Sequence, residues 1–308
     1  MNTEYFTARD NNRLAYKWFP AQQTTNAKFD VVLVCLHGAT MNNLRYVALG
    51  RICQSKGISV CLPDWRGHGE SQGNPGDLDY KGQLQDDLQD LVEHLKAKGA
   101  IKIVLGGHSA GSLVALGFID QYGCTEIDGY VAISPPLSKT NETSRFDYEG
   151  DRLQYYARYL RKKQYHRPLS EAAAKYLPKM NLFKYFVATL TPFCKHSKVM
   201  QFPEMGPSLP NDKRVYEYSY TLIEAYTTNQ YPAMLEKITV PCRFITGELD
   251  EVTDANLVHH IRNWYIHPRL DCHSIVLPRS NHMSVIMPSA YAIANWLSQW
   301  LPQNQEAA

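Results

Sequence analysis

Excess charge is what the chain lacks first. Lys and Arg number 32 against 30 Asp and Glu, a formal net charge of +2 over 308 residues, and no Lys/Arg block resembles a binding arm. Nucleic acid is therefore not an expected partner. Long apolar runs are also missing, since no stretch approaches the roughly 20 residues of a membrane span. The start, MNTEYFTARDNNRLAYKWF, has neither a basic opening nor an apolar core segment, so no secretory signal is expected. Cysteines lack pairing: seven is an odd number without paired spacing, which suits a reducing cytoplasm better than a disulfide framework. Cys35, Cys61 and Cys242 lie inside apolar runs and read as core filler. Asn141-Glu142-Thr143 spells a glycosylation acceptor, which reads as chance when no signal segment accompanies it. No CxxC or HExxH spacing occurs, so no metal is expected. GGHSAGS lacks the lysine of a phosphate-binding loop, so no cofactor is expected either.

What is present reads as a soluble globular chain, with 44% apolar and 20% charged residues. VVLVCL (Val31 to Leu36), ISVCL (Ile58 to Leu62), IKIVLG (Ile101 to Gly106) and YVAIS (Tyr130 to Ser134) are short, apolar and β-branched. Strands buried on both faces have this composition. Between them, Leu84, Leu88, Leu91 and Leu95 recur at helical steps in YKGQLQDDLQDLVEHLKAKG, predicting a helix with its acids and amides outside. SLVALGFIDQYG predicts a buried helix closed by Gly123. YFTARDNNRLAYKWFPA predicts a hairpin turning at Asn11-Asn12. Alternating strands and helices imply an α/β fold, a mostly parallel central sheet with helices on both faces.

The alternation stops near Pro135, where aromatic, helix-like segments replace strand signals until about Pro241. CRFITGELD and HSIVLPRSNH then resume it, with DANLVHHIRNWY between them and YAIANWLSQWL as a closing helix. The expected organisation is a core in two parts, 1–134 and 241–308, with a helical cap inserted at 135–240.

LGGHSAG, Leu105 to Gly111, sits between a predicted strand and a predicted helix. Gly107-His108-Ser109-Ala110-Gly111 fits G-x-S-x-G, the strained turn that exposes a nucleophilic serine. A serine hydroxyl is a weak nucleophile at neutral pH and needs a base. CLHGAT, Cys35 to Thr40, ends an earlier strand with flexible backbone, so the Ala39 and Ala110 N–H groups are the candidate oxyanion donors. LPDWRGHGESQG, Leu62 to Gly73, is expected to be a structured loop outside the chemistry.

HGAT, then PDWRGHGESQG, then GHSAG resembles the α/β-hydrolase superfamily, and most of all its monoacylglycerol lipase, lysophospholipase and serine-aminopeptidase-like branch. The resemblance runs through the late GELD and SNH segments. It implies the order serine, acid, histidine. Within Gly247-Glu248-Leu249-Asp250 the acid it implies is Asp250, favoured over Glu248, Glu251 and Asp254, the last well placed as a helix N-cap. Among eleven histidines it implies His282 in RSNHMS as the base; His259, His260 and His267 fall in a helix-like segment and His273 starts a strand. The resemblance also carries a departure, Ser112 where the lipases place a second glycine.

The expected activity is serine hydrolysis of carboxylic esters, with monoacylglycerol- or lysophospholipid-like acyl esters as the small-molecule substrate. Aminopeptidase, thioesterase and acyltransferase chemistry use the same parts, and a ligand-binding homologue without catalysis is the alternative of another class. HGAT and Ala110 argue against the proline-releasing peptidases, which show an HGGPG-like loop and a tryptophan after the serine. In the insertion, Leu182, Phe183, Phe186, Val187 and Leu190 of NLFKYFVATLTPF share an apolar face suited to an acyl chain. DRLQYYARYLRKKQYHR is basic and aromatic; a solvated face is the plainer expectation, and weak peripheral contact with anionic lipid the sharper one.

Overall fold

The computed structural model describes residues 3–21, 29–137, 178–204, 212–227 and 230–301. The basic segment 151–167 lies outside them. Eight strands form the main sheet: β1 (Thr3–Thr7), β2 (Arg13–Phe19), β3 (Phe29–Leu36), β4 (Ser59–Pro63), β5 (Ala100–His108), β6 (Gly129–Ile133), β10 (Cys242–Gly247) and β11 (Cys272–Leu277). Their spatial order is β1-β2-β4-β3-β5-β6-β10-β11. The β1–β2 and β2–β4 pairs are antiparallel and the other pairs parallel. The first pair is the expected hairpin, with Asn11 in the left-handed region at φ 67° and the Ala8 N–H donating to the Asn12 carbonyl.

Strand β3 explains why these runs are apolar throughout. Val31, Leu33 and Cys35 face one cluster, and Val32, Val34 and Leu36 face the other. Alternate side chains point to opposite faces, and both faces are covered. One cover is α1 (Val47–Ser55) with α8 (Ile286–Leu297), through Leu49, Cys53, Ile293 and Leu297. The other includes α2 (Gln83–Ala97), α3 (Ala110–Tyr122) and α7 (Ala255–Tyr265). Asp254 caps α7, accepting from the Asn256 and Leu257 amides.

Helix α2 departs from the simple amphipathic expectation. Its leucines are buried, but so are Gln83, Gln85, Asp86 and Asp87 of its first turns. Partners outside the helix hold them there. Arg66 reaches Asp87 at 2.5 and 3.0 Å, and Tyr80, Gln121 and Tyr122 all donate to Asp86. Buried charge survives only when paired in this way.

Between β6 and β10 the chain forms α4 (Leu182–Leu190), α5 (Tyr220–Tyr226) and α6 (Tyr231–Glu236). It also forms a three-stranded antiparallel sheet, β7 (Lys179–Met180), β8 (Lys198–Gln201) and β9 (Glu217–Ser219). The expectation was a helical insertion with few strand signals; these strands, two to four residues long, are too short to show a period of two. The β9 region bonds directly to the loops that follow β3 and β4. Val215 donates its N–H to the Thr40 carbonyl, and Ser219 to that of Gly76.

Strand order reverses about β3, which lies between β4 and β5. Ligand crevices of open α/β sheets form outside the carboxyl ends of strands at such a switch. His37-Gly38-Ala39 and Ser109 both lie there.

Candidate active site

Ser109 occupies the junction of β5 and α3 with φ 51° and ψ −127°. An L-residue reaches that conformation only when its surroundings enforce it, at a cost of about 1–3 kcal/mol. The surroundings are the glycines. A β-carbon on Gly106 would lie 2.1 Å from the Val131 carbonyl oxygen, and one on Gly107 2.6 Å from the Gly111 backbone. On Gly111 it would lie 2.5 Å from the His37 carbonyl oxygen. The motif is thus three backbone contacts that admit no side chain. Ser112, which replaces a further glycine of the resembling lipases, fits because its hydroxyl folds back to the Ser109 carbonyl at 2.6 Å.

The half-buried Ser109 Oγ lies 3.0 Å from His282 Nε2. On the far side of that ring, Nδ1 is 3.1 and 3.2 Å from the two carboxylate oxygens of Asp250. A carboxylate only accepts, so Nδ1 carries the proton and Nε2 presents a lone pair to the serine hydroxyl. Asp250 is fully buried and follows β10. Its Oδ1 also accepts the Val252 and Thr253 amides at 2.9 and 2.8 Å. Burial pushes the Asp250 carboxyl up, yet the His282 charge and hydrogen bond with the Thr253 amide hold it below its ordinary value. Burial pushes His282 down, and Asp250 beside it outweighs burial, leaving the imidazole above its ordinary value.

The loop from β11 carries His282 back over the sheet edge through a turn with Arg279 at φ 56°. Gly247 permits that return, since a β-carbon there would meet the Ser280 carbonyl oxygen at 2.2 Å. The rival acids have other tasks. Glu251 accepts the backbone N–H of His282 at 3.0 Å, Glu248 accepts that of Arg279, and Asp254 caps α7. The bond to Glu251 has no signature in the sequence, because a backbone acceptor leaves no mark on spacing.

Ala39 and Ala110 flank the serine from two turns. A β-carbon on Gly38 would stand 3.3 Å from that of Ser109, which places the β3 turn against Ser109. Among the described residues, the Ala39 and Ala110 N–H groups take part in none of the hydrogen bonds that fix these turns. The Gly38 carbonyl, in the same peptide plane as the Ala39 N–H, accepts from His37 Nδ1 at 2.8 Å. Ala110 opens α3, where the helix dipole favours negative charge.

A second row runs beneath. His108 Nε2 donates to the His282 carbonyl at 2.8 Å, and Tyr46 Oη donates to His108 Nδ1 at 2.9 Å while accepting the Gly38 N–H at 2.9 Å. Burial keeps His108 neutral, its pKa pushed down to about 3. Sequence reasoning missed both residues, although His108 adjoins the serine.

Among the described residues, no three His, Cys, Asp or Glu side chains gather as a metal site, and no helix is long and apolar enough to cross a membrane. The family model of serine aminopeptidases of the S33 type matches residues 27–283. An esterase from Thermogutta terrifontis, solved with malate bound, is similar in structure at 19% identity and a TM-score of 0.61, covering 97% of this chain and 99% of its own. A soluble variant of monoglyceride lipase from Saccharomyces cerevisiae, in complex with a substrate analogue, aligns at 18% identity and 0.63, covering 98% and 96%. The monoacylglycerol lipase of Paleococcus ferrophilus aligns at 18% and 0.59, covering 94% and 99%. At such identities the likeness is one of fold.

Proposed function

The chain belongs to the serine aminopeptidase S33 family of α/β-hydrolases, and from that membership we propose that it is a serine hydrolase of carboxylic esters, with Ser109, His282 and Asp250 as its catalytic residues. The single observation that carries this reading is the Ser109–His282–Asp250 row, with its proton order fixed by a buried carboxylate. As Ser109 Oγ attacks the ester carbonyl, its proton passes to His282 Nε2. The carbonyl π electrons move to oxygen, and the Ala39 and Ala110 N–H groups receive that anion. Collapse breaks the bond to the alkoxy group, which leaves with the proton from His282. Water then repeats the sequence on the acyl-enzyme, releasing the acid and restoring Ser109. Asp250 holds the imidazole's tautomer and balances the charge it gains.

Acyl esters of the monoacylglycerol or lysophospholipid kind are the proposed substrates, with residues 135–240 as a cap over a core of 1–134 and 241–308. Supporting this, Leu182, Phe183, Phe186 and Leu190 of α4 and the adjoining Phe193 expose an apolar surface. The family's description favours one second reading, release of amino-terminal residues from peptides. The exposed apolar surface of α4 supports the ester.

The test is a fluorophosphonate probe together with p-nitrophenyl esters of graded chain length and aminoacyl arylamides. Wild-type protein is expected to label at Ser109 and cleave esters, and Ser109→Ala to lose both, with turnover down by about 10⁵–10⁶-fold. Arylamide cleavage without ester cleavage selects the peptidase reading. Folded protein that neither labels nor turns over is a binding module.

A further inference from the structure

Thr40, one residue past the proposed oxyanion donor, stands in the left-handed region at φ 65°, an uncommon place for a β-branched residue. Its N–H donates to the hydroxyl of Tyr218 at 2.6 Å across 178 residues of sequence. Tyr218 lies on β9, fully buried, in the segment between β6 and β10. Its hydroxyl is also 2.9 Å from His68 Nε2.

The direction of each bond follows from chemistry. His68 Nδ1 faces the Arg66 carbonyl at 3.0 Å; a carbonyl only accepts, so Nδ1 holds the proton. Burial pushes the His68 pKa down to about 4, so the ring stays neutral and its Nε2 is a lone pair. The Tyr218 hydroxyl must therefore donate to His68, which turns its own lone pair toward Thr40. Tyr46 treats the Gly38 N–H in the same way on the other side of Ala39, and His37 holds the peptide between them. The three peptide planes around Ala39 are then all fixed by side chains, and among the described residues the Ala39 N–H enters none of these bonds.

We propose that Tyr218 is a positioning residue: oriented by His68, its hydroxyl clamps Thr40 and so sets the aim of the Ala39 N–H at the oxyanion, tying β9 to the chemical step. This rests on the ester-hydrolase reading above. An oxyanion donor acts on the transition state, so its misalignment falls on kcat and leaves substrate binding alone.

The experiment compares wild type, Tyr218→Phe, His68→Leu, His68→Gln and, as a stability control, Tyr16→Phe, which loses a buried hydroxyl bonded to Glu4 and His94 on distant β2. Tyr218→Phe is expected to lower kcat on p-nitrophenyl butyrate by about ten- to a hundredfold, with KM within about twofold. It should weaken a trifluoromethyl ketone, whose tetrahedral adduct places an anion at the same spot, by the same factor. His68→Leu should match it, and His68→Gln, whose amide oxygen accepts the phenol proton, should recover most of the loss. Tyr16→Phe should move only the melting temperature. Amide hydrogen exchange at Thr40 should accelerate in Tyr218→Phe and in His68→Leu. Folded Tyr218→Phe with kcat and inhibitor affinity within twofold of wild type overturns the proposal, as does unchanged exchange at Thr40. If Tyr218→Phe does not fold, the contrast between the two His68 variants decides in the same terms. If wild type itself neither labels at Ser109 nor cleaves esters, the functional reading has failed, and the exchange measurement still decides whether the clamp exists.

Discussion

At the scale of single residues, the proposed mechanism turns on one imidazole, His282, that must be neutral to accept a proton. Asp250 holds the His282 pKa above its ordinary value against the pull of burial. Turnover should therefore rise with pH through one ionisation above about 6.5 and then level. Asp250→Asn removes the opposing charge and frees the tautomer, so the midpoint should move to lower pH while the plateau falls by about 10⁴-fold. A pH–rate profile of ester hydrolysis for both proteins checks this; an unmoved midpoint contradicts it. The same pair acts on stability with opposite signs. His282, raised in the folded state, contributes stability below its unfolded pKa and loses it as pH rises through the folded value. Asp250, lowered on folding, contributes above about 3.9 and loses it as pH falls through its folded value. The difference in melting temperature between wild type and Asp250→Asn should accordingly narrow below about pH 4.

At the scale of elements, the turn that bears Ser109 is a packing solution between β3, β5, β6 and the start of α3. Gly111 carries the test, because a β-carbon there meets the His37 and Leu36 carbonyl oxygens at 2.5 and 2.7 Å, and both belong to backbone. Gly111→Ala must push α3 away from the turn that bears Ala39. The expected cost is about 1–3 kcal/mol in urea unfolding, with ester turnover lowered at least tenfold. Gly123→Ala gives the contrast: nothing lies within 4 Å, so only its φ of 76° opposes a side chain. With ψ −162° that backbone lies in a region kept almost wholly to glycine, so the change should cost about 1–3 kcal/mol and leave turnover unchanged. Equal turnover in both variants would show that the close approach at Gly111 does not govern the site. Elements of this kind were legible in the sequence because buried parallel strands write themselves as unbroken apolar runs, and glycine marks where backbones touch. Gln85, Asp86 and Asp87 of α2 were not, because burial of a polar residue depends on partners such as Arg66 that lie elsewhere in the chain. Strands β7 to β9 were not either, and with them went Tyr218, whose contact with Thr40 joins residues 178 apart in sequence.

At the scale of the whole molecule, the main sheet buries its apolar residues on two faces, and α4 does the reverse. Leu182, Phe183, Phe186 and Leu190 stand 60–77% exposed, and Phe193 95%. Only Ala188 of the helix is buried, with Tyr185 half-buried and bonded through its hydroxyl to Glu224. Val187, expected on the exposed apolar face, is half-buried as well, so the helix is anchored through Tyr185, Val187 and Ala188. Large apolar side chains exposed together along one helix are the kind of surface that ligand, partner or membrane contacts use. If the contact is the acyl chain or the surface that delivers it, replacing Phe183, Phe186 and Phe193 by serine removes little buried area. The melting temperature should then hold within a few degrees. Turnover of p-nitrophenyl butyrate should stay within about twofold, because a short chain buries little apolar area, while that of the laurate should fall by about tenfold or more, since each buried CH₂ contributes about 0.8 kcal/mol. An unchanged laurate-to-butyrate ratio would detach α4 from acyl recognition. Equal losses on both esters, with a lowered melting temperature, would assign its aromatic residues to support of the fold.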